Sequence, residues 1–323
     1  MIDQEQRIGL VEQMTIHPKV IEGSNQELFM ATYKHYVERH LVGDKPISES
    51  ALRTFEKNLQ SRQKIATDMG AQFIHMVAPD KQSVYRDQTN IPDLLRLGEV
   101  YRQRTQATFF YPLEPLLAAT HAAERMYFKN DLHWNAKGVL LVLELLLQQL
   151  GHPDVESVMT QLEQKVVCKP NSVLGLGALL TPPRAEDADM FNWKNAGIKK
   201  ASNHKSGDGQ MLLVKNEQAL QRRVLAFGDS FMLSMIYALS HAYSDILFVR
   251  SHFFHEDLMR DYQPDILITS SAEGYLCKVM ADRHALPMPA FIEKHGSIDR
   301  YDAGLRTCLK RFLPDQPVTA ISV

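Results

Sequence analysis

The sequence predicts an α/β fold, a three-layer sandwich built on a mainly parallel sheet. Short apolar runs of strand length recur along the chain, and helix-like segments lie between several of them. Strands that alternate with helices favour a parallel sheet whose faces the helices cover. The runs that we predict as buried strands are residues 73–78, 108–111, 223–227, 246–249 and 266–269.

The first 70 residues have the periodicity of helices instead. An apolar stripe predicts a helix that Gly70 ends, and its members are Leu52, Phe55, Leu59, Ala66 and Met69. We expect an earlier helix from Gln26 to Leu41, which ends near Gly43. The predicted organisation is therefore an N-terminal helical extension, residues 1–45, followed by an α/β domain, residues 46–323.

Two later segments define the organisation of that domain. Asn135 is a favourable N-cap for a helix that runs through Leu150 and is followed by Gly151. The segment of about 181–210 combines two prolines, an acidic run and a polar stretch. We expect it to form a long surface excursion, and loops of that length are often functional.

Composition narrows the function classes. The chain has 36 Lys and Arg against 38 Asp and Glu, so the basic excess of a nucleic-acid binder is missing. No apolar run reaches the ~18 residues of a membrane span, and the N-terminus lacks the pattern of a secretory leader. Three widely spaced cysteines do not predict a disulfide framework. We expect a cytoplasmic protein without a membrane span, or a periplasmic one if a leader has been removed.

The tripeptide Gly228-Asp229-Ser230 follows a predicted strand and precedes a helix-like segment. This context places Ser230 at a helix N-terminus, where its backbone N–H is free to bind a developing oxyanion and the helix dipole favours negative charge. Gly228 allows the chain to turn tightly. Ser230 is therefore a candidate nucleophile. The alternative is that Asp229 or Ser230 only caps the helix.

A second motif supplies a candidate base. Asp131 precedes His133 by two residues, so its carboxylate can accept the imidazole Nδ1–H and leave Nε2 free to take a serine proton. The alternatives are an ordinary hydrogen-bonded pair in a loop, or two ligands of a metal site whose other ligands are missing. Both motifs lie at element boundaries, where α/β proteins usually carry their chemistry.

The two motifs together resemble the SGNH hydrolase-like domain of the alginate O-acetyltransferase family, the AlgX/AlgJ-like proteins. Asp131-Leu132-His133-Trp134 lies upstream of Gly228-Asp229-Ser230-Phe231, and this order is that of the family and the reverse of ordinary SGNH esterases. The resemblance extends to residues 77–85, with their Pro-Asp-Lys, and to residues 263–268, with their Pro-Asp. Where many relatives have Glu-Arg, this chain has residues 272–275, Ala-Glu-Gly-Tyr.

The resemblance implies an O-acetyltransferase of exopolysaccharide biosynthesis, such as that of alginate. It would move an acetyl group through an acetyl-serine intermediate onto a carbohydrate hydroxyl. Ser230 would be the nucleophile, His133 the base and Asp131 the group that orients it. The implied partners are a carbohydrate acceptor and an acetyl donor, either a small molecule or a protein, with no bound cofactor. A carbohydrate acetyl esterase with the same triad and an inactive glycan-binding relative stay open as alternatives.

Four further residues are candidate substrate contacts. Trp134 matches the aromatic residue that the family places beside the histidine. Tyr127 and Asn130 flank the same motif, with an ordinary loop role as the alternative, and His252 follows a predicted strand. His252 and His255 lack further ligand residues nearby, so we predict no metal site.

Overall fold

The structure, a computed structural model, describes residue 6 and residues 13–31, 47–90, 94–194 and 197–313. Its strands are β1 (Thr15–His17), β2 (Val20–Glu22), β3 (Leu28–Met30), β4 (Gln72–Ala78), β5 (Val166–Val173), β6 (Ala185–Phe191), β7 (Lys199–Ser202), β8 (Met211–Lys215), β9 (Leu220–Gly228), β10 (Tyr243–Arg250) and β11 (Ile266–Ala272). Its α-helices are α1 (Glu49–Asp68), α2 (Lys81–Val84), α3 (Leu97–Arg104), α4 (Leu113–His121), α5 (Ala136–Gln149), α6 (Val155–Glu163), α7 (Ser230–Leu239), α8 (Glu256–Tyr262), α9 (Met288–His295) and α10 (Ala303–Cys308).

A six-stranded sheet in the order β4-β11-β9-β10-β8-β7 forms the centre of the fold. Its first four strands are parallel, and β8 runs antiparallel to both β10 and β7. The prediction of a mixed α/β fold with a mainly parallel sheet is therefore confirmed. Four of the five predicted strands lie inside β4, β9, β10 and β11.

Side chains on both faces of this sheet are buried. In β9, Val224 and Ala226 belong to one apolar cluster, which includes residues of α1, α5 and α7. Leu225 and Phe227 belong to a second cluster, which includes residues of α8, α9 and α10. Burial on two faces explains why the central strands are continuous apolar runs rather than alternating ones.

Two predicted helices are confirmed. The apolar stripe of α1 is buried at Leu52, Phe55, Leu59 and Ala66, and Gly70 follows the helix with a φ of 71°. Asn135 caps α5 by accepting a hydrogen bond from the backbone N–H of Gly138 at 2.9 Å.

The prediction of a helical N-terminus is wrong for residues 15–30, which form the three-stranded antiparallel sheet β1-β2-β3. The chain turns between β2 and β3 at Asn25 and Gln26, whose φ angles of 57° and 60° are left-handed. Packing of β2 and β3 against the rest of the molecule overrides the local helical pattern, since Val20 and Leu28 are fully buried. The predicted helix over 26–41 is contradicted at β3, and its residues 32–41 lie outside the described ranges.

Two further predictions need correction. Residues 108–111 do not form a strand of the sheet, because only Phe110 pairs, through a single bridge to Met76. The excursion at about 181–210 is not simply a surface loop, because it contains β6 and β7. β6 pairs with β5, and β7 is the last strand of the large sheet. Polar side chains on these strands, as in Lys199 and Lys200, conceal the strand pattern in the sequence.

A buried ion cluster fastens the N-terminal sheet to the turn that follows β4. The side chains of Lys81 and Glu27 are completely buried, and Lys81 Nζ lies 2.8 Å from Glu27 Oε1. Arg125 donates to both carboxylate oxygens of Glu27, at 2.9 and 3.0 Å. Burial lowers the pKa of Lys81 to about 8, against the opposing effect of Glu27. The cluster therefore joins β3 to α2.

We expect Lys81→Met to reduce the free energy of unfolding by about 3–5 kcal/mol, because it leaves the buried Glu27 carboxylate with less compensation. Chemical denaturation measures the effect. Lys199→Met is the matched control, since the ion pair of Lys199 with Glu217 is largely exposed and contributes little. Equal stability of the two variants would contradict a structural role for the buried cluster.

Candidate active site

The parallel strands direct their carboxyl ends to one edge of the sheet. From β9 the chain continues to β10 on one side, and β11 lies on the other side of β9. In sheets of this kind the crevice outside the carboxyl ends, at such a switch point, is the usual binding place. Ser230, the first residue of α7, lies directly after β9 and so at this crevice.

The turn before Ser230 is fixed by its two neighbours. A side chain at Gly228 would place Cβ 2.3 Å from Ser270 Oγ in β11, so glycine is required for this close approach. Asp229 is the N-cap of α7 and accepts the N–H of Phe231 at 2.9 Å. Its other oxygen accepts the N–H of Ala272 at 2.5 Å. Asp229 thus caps the helix, as one alternative for this motif predicted. The hydroxyl of Ser230 does not serve as the cap.

The segment 127–135 forms a tight loop beside this turn. Tyr127 and Trp134 pair as an antiparallel bridge, and the N–H of Phe128 donates to the carbonyl of His133 at 3.1 Å. Asn135 closes the loop, because its N–H donates to the carbonyl of Met126 at 3.0 Å before α5 begins. The loop therefore presents its tip, residues 130–133, to the carboxyl edge of the sheet.

The side chains of Asp131, His133 and Ser230 form one chain of hydrogen bonds. His133 Nδ1 lies 2.8 Å from Asp131 Oδ1, and His133 Nε2 lies 2.8 Å from Ser230 Oγ. The His133 side chain is 26% exposed and that of Asp131 13%, so the imidazole still borders solvent while the carboxylate is largely covered. The structure thus brings together the three residues that the sequence predicts to act together. This arrangement can activate a serine hydroxyl as a nucleophile.

The environment of Asp131 favours its ionised form. Burial alone would raise its pKa, but the hydrogen bond and charge of His133 and the N–H groups of His133 and Leu132 lower the pKa below its ordinary value. Oδ1 accepts those two N–H groups at 3.1 and 2.5 Å. The carboxylate is therefore both charged and fixed in orientation, as is required to hold the imidazole in one tautomer.

Lys81 binds the backbone of the loop 127–135. Its ammonium donates to the carbonyl oxygens of Phe128 and Lys129, each at 2.7 Å, and of Asp131 at 3.0 Å. It also donates to the carbonyl of Leu28 in β3 at 2.8 Å. The buried ammonium of Lys81 thus links the N-terminal sheet to the backbone of Asp131.

Two residues of the segment after α6, Glu186 and Gly175, also contact the loop. The sequence did not indicate either contact. Glu186 in β6 accepts the N–H groups of Lys129 and Asn130, at 2.7 and 2.6 Å. Gly175 lies against the Asp131 carboxylate so closely that an added Cβ would be 2.2 Å from Asp131 Oδ2. The only signals in the sequence are an acidic residue within the excursion and a Gly-x-Gly at 175–177.

A cavity of about 40 Å³ opens beside Ser230. Its walls come from β3, from the start of α2 and the residue before it, from the loop of His133, from α7, and from the end of β11 and the turn after it. The lining residues are Met30, Asp80, Lys81, Gln82, Leu132, Ser230, Phe231, Ala272, Gly274 and Tyr275. Ser230, whose hydroxyl contacts His133, is therefore one of the residues that line the cavity.

Three of the predicted substrate contacts are buried in the structure. Tyr127, Asn130 and Trp134 are each at most 1% exposed. The hydroxyl of Tyr127 donates to the carbonyl of Pro79 at 2.7 Å, and the ring of Trp134 packs edge-on against Phe231 at 4.9 Å. These residues support the loop and the helix of the site, and in this arrangement they offer no surface to a sugar.

His252 is exposed and contacts the site through Tyr275. Its exposed ring packs edge-on against Tyr275 at 4.3 Å between centroids, and Tyr275 lines the Ser230 cavity. His255 is buried and hydrogen-bonded to Ser251 at 3.0 Å, so the two histidines do not share a site.

Within the described ranges, no three His, Cys, Asp or Glu side chains converge in the manner of metal ligands. None of the helices in those ranges has the length and apolarity to cross a bilayer.

Gly175→Ala tests the dependence of the site on the Asp131 carboxylate. We expect the labelling of Ser230 by a small sulfonyl fluoride to slow by about 100-fold, because the new methyl group displaces the carboxylate that orients His133. Intact-mass spectrometry measures the rate. Val173→Ala, an exposed position in the preceding strand, should label as the wild type does. Unchanged labelling of Gly175→Ala would contradict the close packing against Asp131.

The lowered pKa of Asp131 predicts a pH-dependent contribution to stability. A carboxyl group whose pKa is lower in the folded state stabilises the fold above its unfolded pKa of about 3.9, and this contribution is lost as the pH falls through the folded value. The difference in free energy of unfolding between wild type and Asp131→Asn should therefore shrink below about pH 4. Urea denaturation from pH 7 down to pH 3 measures it, and a constant difference would contradict this prediction.

Comparisons with known proteins support the fold. Neither a protein-family model nor a curated protein sequence matches the chain. The chain is similar to Bacillus cereus PatB1 carrying a sulfonyl adduct, with 11% identity and a TM-score of 0.59 over 80% of this chain and 95% of that one. It is similar to a DHHW family protein from Eubacterium siraeum, with 11% identity and a TM-score of 0.54 over 85% and 94%. It is also similar to the O-acetyltransferase domain of Pseudomonas putida AlgJ, with 15% identity and a TM-score of 0.50 over 86% and 98%. At these identities the likeness shows a shared fold.

Proposed function

We propose that this chain is a serine-dependent O-acetyltransferase with an SGNH hydrolase-like three-layer sandwich. It transfers an acetyl group to a hydroxyl of a polysaccharide or another carbohydrate through an acetyl-serine intermediate. The observation that carries the proposal is the hydrogen-bonded chain from Asp131 through His133 to Ser230. A helix cap alone would require neither the imidazole at the serine hydroxyl nor the carboxylate behind it.

In the first half-reaction, Ser230 Oγ attacks the carbonyl carbon of the acetyl donor and its proton passes to His133 Nε2. The Asp131 carboxylate stabilises the resulting imidazolium. The N–H of Ser230, at the start of α7, donates to the oxyanion of the tetrahedral intermediate, because the first N–H groups of a helix have no partner within it. The intermediate then collapses, the bond to the donor breaks, and the leaving group takes the proton from His133.

In the second half-reaction, His133 removes a proton from an acceptor hydroxyl, which attacks the acetyl-serine carbonyl. Collapse of this second intermediate returns the proton to Ser230 Oγ and releases the acetylated acceptor. Atoms and charges balance with an acetyl donor and a hydroxyl acceptor alone, so the proposed mechanism requires no bound cofactor. The acetyl donor is a small ester or thioester, or an acetylated protein.

The shared fold is consistent with the proposed function and does not by itself establish it. One of the similar structures is described as an O-acetyltransferase domain, and another contains a sulfonyl adduct. The order of the two motifs along the chain, with Asp131 and His133 before Ser230, also resembles that group. We propose a carbohydrate acceptor for this chain because that resemblance implies one.

Ser230→Ala and His133→Gln should each reduce acetyl transfer by at least about 10⁴-fold, because the hydroxyl and the base act as one unit. The assay mixes an acetyl donor with oligosaccharides and follows acetylated product and free acetate by mass spectrometry. Ser234→Ala is the matched control, since Ser234 lies one turn later on α7 and its hydroxyl donates to the carbonyl of Phe231. It should retain wild-type activity.

The products separate the alternatives. Acetylated sugar that depends on Ser230 supports the transferase. Free acetate alone, with the same dependence, identifies an esterase and contradicts transfer. If the wild type consumes no acetyl donor and Ser230 resists sulfonyl fluorides, the chain is a binding protein and the proposal is overturned.

A further inference from the structure

The cavity beside Ser230 has the position of an acyl-binding pocket. Ser230 lines it together with Phe231, the next residue of α7, and with Leu132, the neighbour of His133. A group bound in it would therefore lie between the nucleophile and the loop that carries the base. An acetyl group attached to Ser230 Oγ has to occupy space next to that hydroxyl, and the cavity provides it.

The size and lining of the cavity limit what it accepts. Its volume of about 40 Å³ leaves room for about three water-sized groups. Met30, Leu132, Phe231 and Tyr275 give it mainly hydrocarbon and aromatic walls. Such a lining favours the methyl end of a short acyl chain over a polar sugar.

Two of the walls are held rigidly. Phe231 is 1% exposed and is packed against Trp134 and His133, at 4.9 and 5.2 Å between ring centroids. Ala272, another lining residue, donates its backbone N–H to the Asp229 carboxylate. Neither wall can retreat without disturbing the turn of Ser230.

Met30 is a wall that can change without disturbing the turn of Ser230. It ends β3, its carbonyl accepts a hydrogen bond from Gln82 at 3.2 Å, and its side chain is only partly buried. The backbone of β3 is positioned by the buried ammonium of Lys81, which binds the carbonyl of Leu28. The flexible side chain of Met30 thus forms one wall of the cavity on a strand whose backbone is held in place.

We propose that Met30 closes an acyl pocket at Ser230 and thereby restricts the donor to acetyl groups. This inference rests on the proposed function and deepens it, because it names the residue that sets the length of the transferred acyl chain. The N-terminal sheet is then part of the active site and determines donor specificity.

The test compares kcat/KM for p-nitrophenyl acetate and p-nitrophenyl butyrate in wild type, Met30→Ala and Met30→Leu. Wild type should prefer acetate. Met30→Ala should raise the butyrate-to-acetate ratio by at least about tenfold, since a single methylene in an apolar pocket changes discrimination by 10- to 200-fold. Met30→Leu, of similar volume, should keep a ratio near that of wild type. Met190→Ala, a partly buried methionine of β6 that does not line the cavity, is the matched control.

The ratio distinguishes a changed pocket from a damaged protein, because a loss of folded enzyme lowers both values of kcat/KM equally. An unchanged ratio in Met30→Ala, with Ser230-dependent turnover of acetate intact, overturns the inference and leaves the proposed function standing. Wild type that prefers butyrate also overturns it. Absence of any Ser230-dependent turnover overturns the proposed function, and the acyl pocket with it.

Discussion

The contact between His133 Nε2 and Ser230 Oγ, across 97 residues of sequence, is the interaction on which the whole site depends. It requires the turn after β9 and the loop before α5 to meet at the carboxyl edge of one sheet. Gly228 and Asp229 fix the turn through close packing and capping, and backbone pairing between Tyr127 and Trp134 fixes the loop. Each side is held by its own contacts, so the ordering cost of the 2.8 Å hydrogen bond between them is reduced.

The buried ammonium of Lys81 positions the backbone on which this contact depends. An ammonium without water must be satisfied by the protein, and here the satisfying groups are the carboxylate of Glu27 and four backbone carbonyls. Three of these carbonyls belong to the loop of Asp131, and the fourth belongs to β3. The same cation therefore positions the candidate base and the strand that walls the cavity, so fold stability and site geometry are linked.

The central strands and the convergence of the candidate site residues could both be predicted from sequence, for different reasons. The strands β4, β9, β10 and β11 are buried on two faces and stand out as apolar runs, and the candidate residues lie within short motifs. Long-range packing explains the failures. The strands β1 to β3 are short, and β2 and β3 are stabilised by the apolar clusters and by the contact of Lys81 with β3, so their local pattern misleads. Glu186 and Gly175 reach the loop only through tertiary contacts, which no local spacing indicates.

In the proposed reaction Ser230 carries the acetyl group, and trapping that acetyl-serine intermediate is the direct test. Wild-type protein mixed with an acetyl donor, without acceptor, is quenched in acid and digested, and the peptide that contains Ser230 is analysed by mass spectrometry. We expect an added acetyl group on Ser230 in wild type and none on the corresponding peptide of His133→Gln. An acetyl group on another residue, or turnover of the donor with Ser230 never modified, would contradict it.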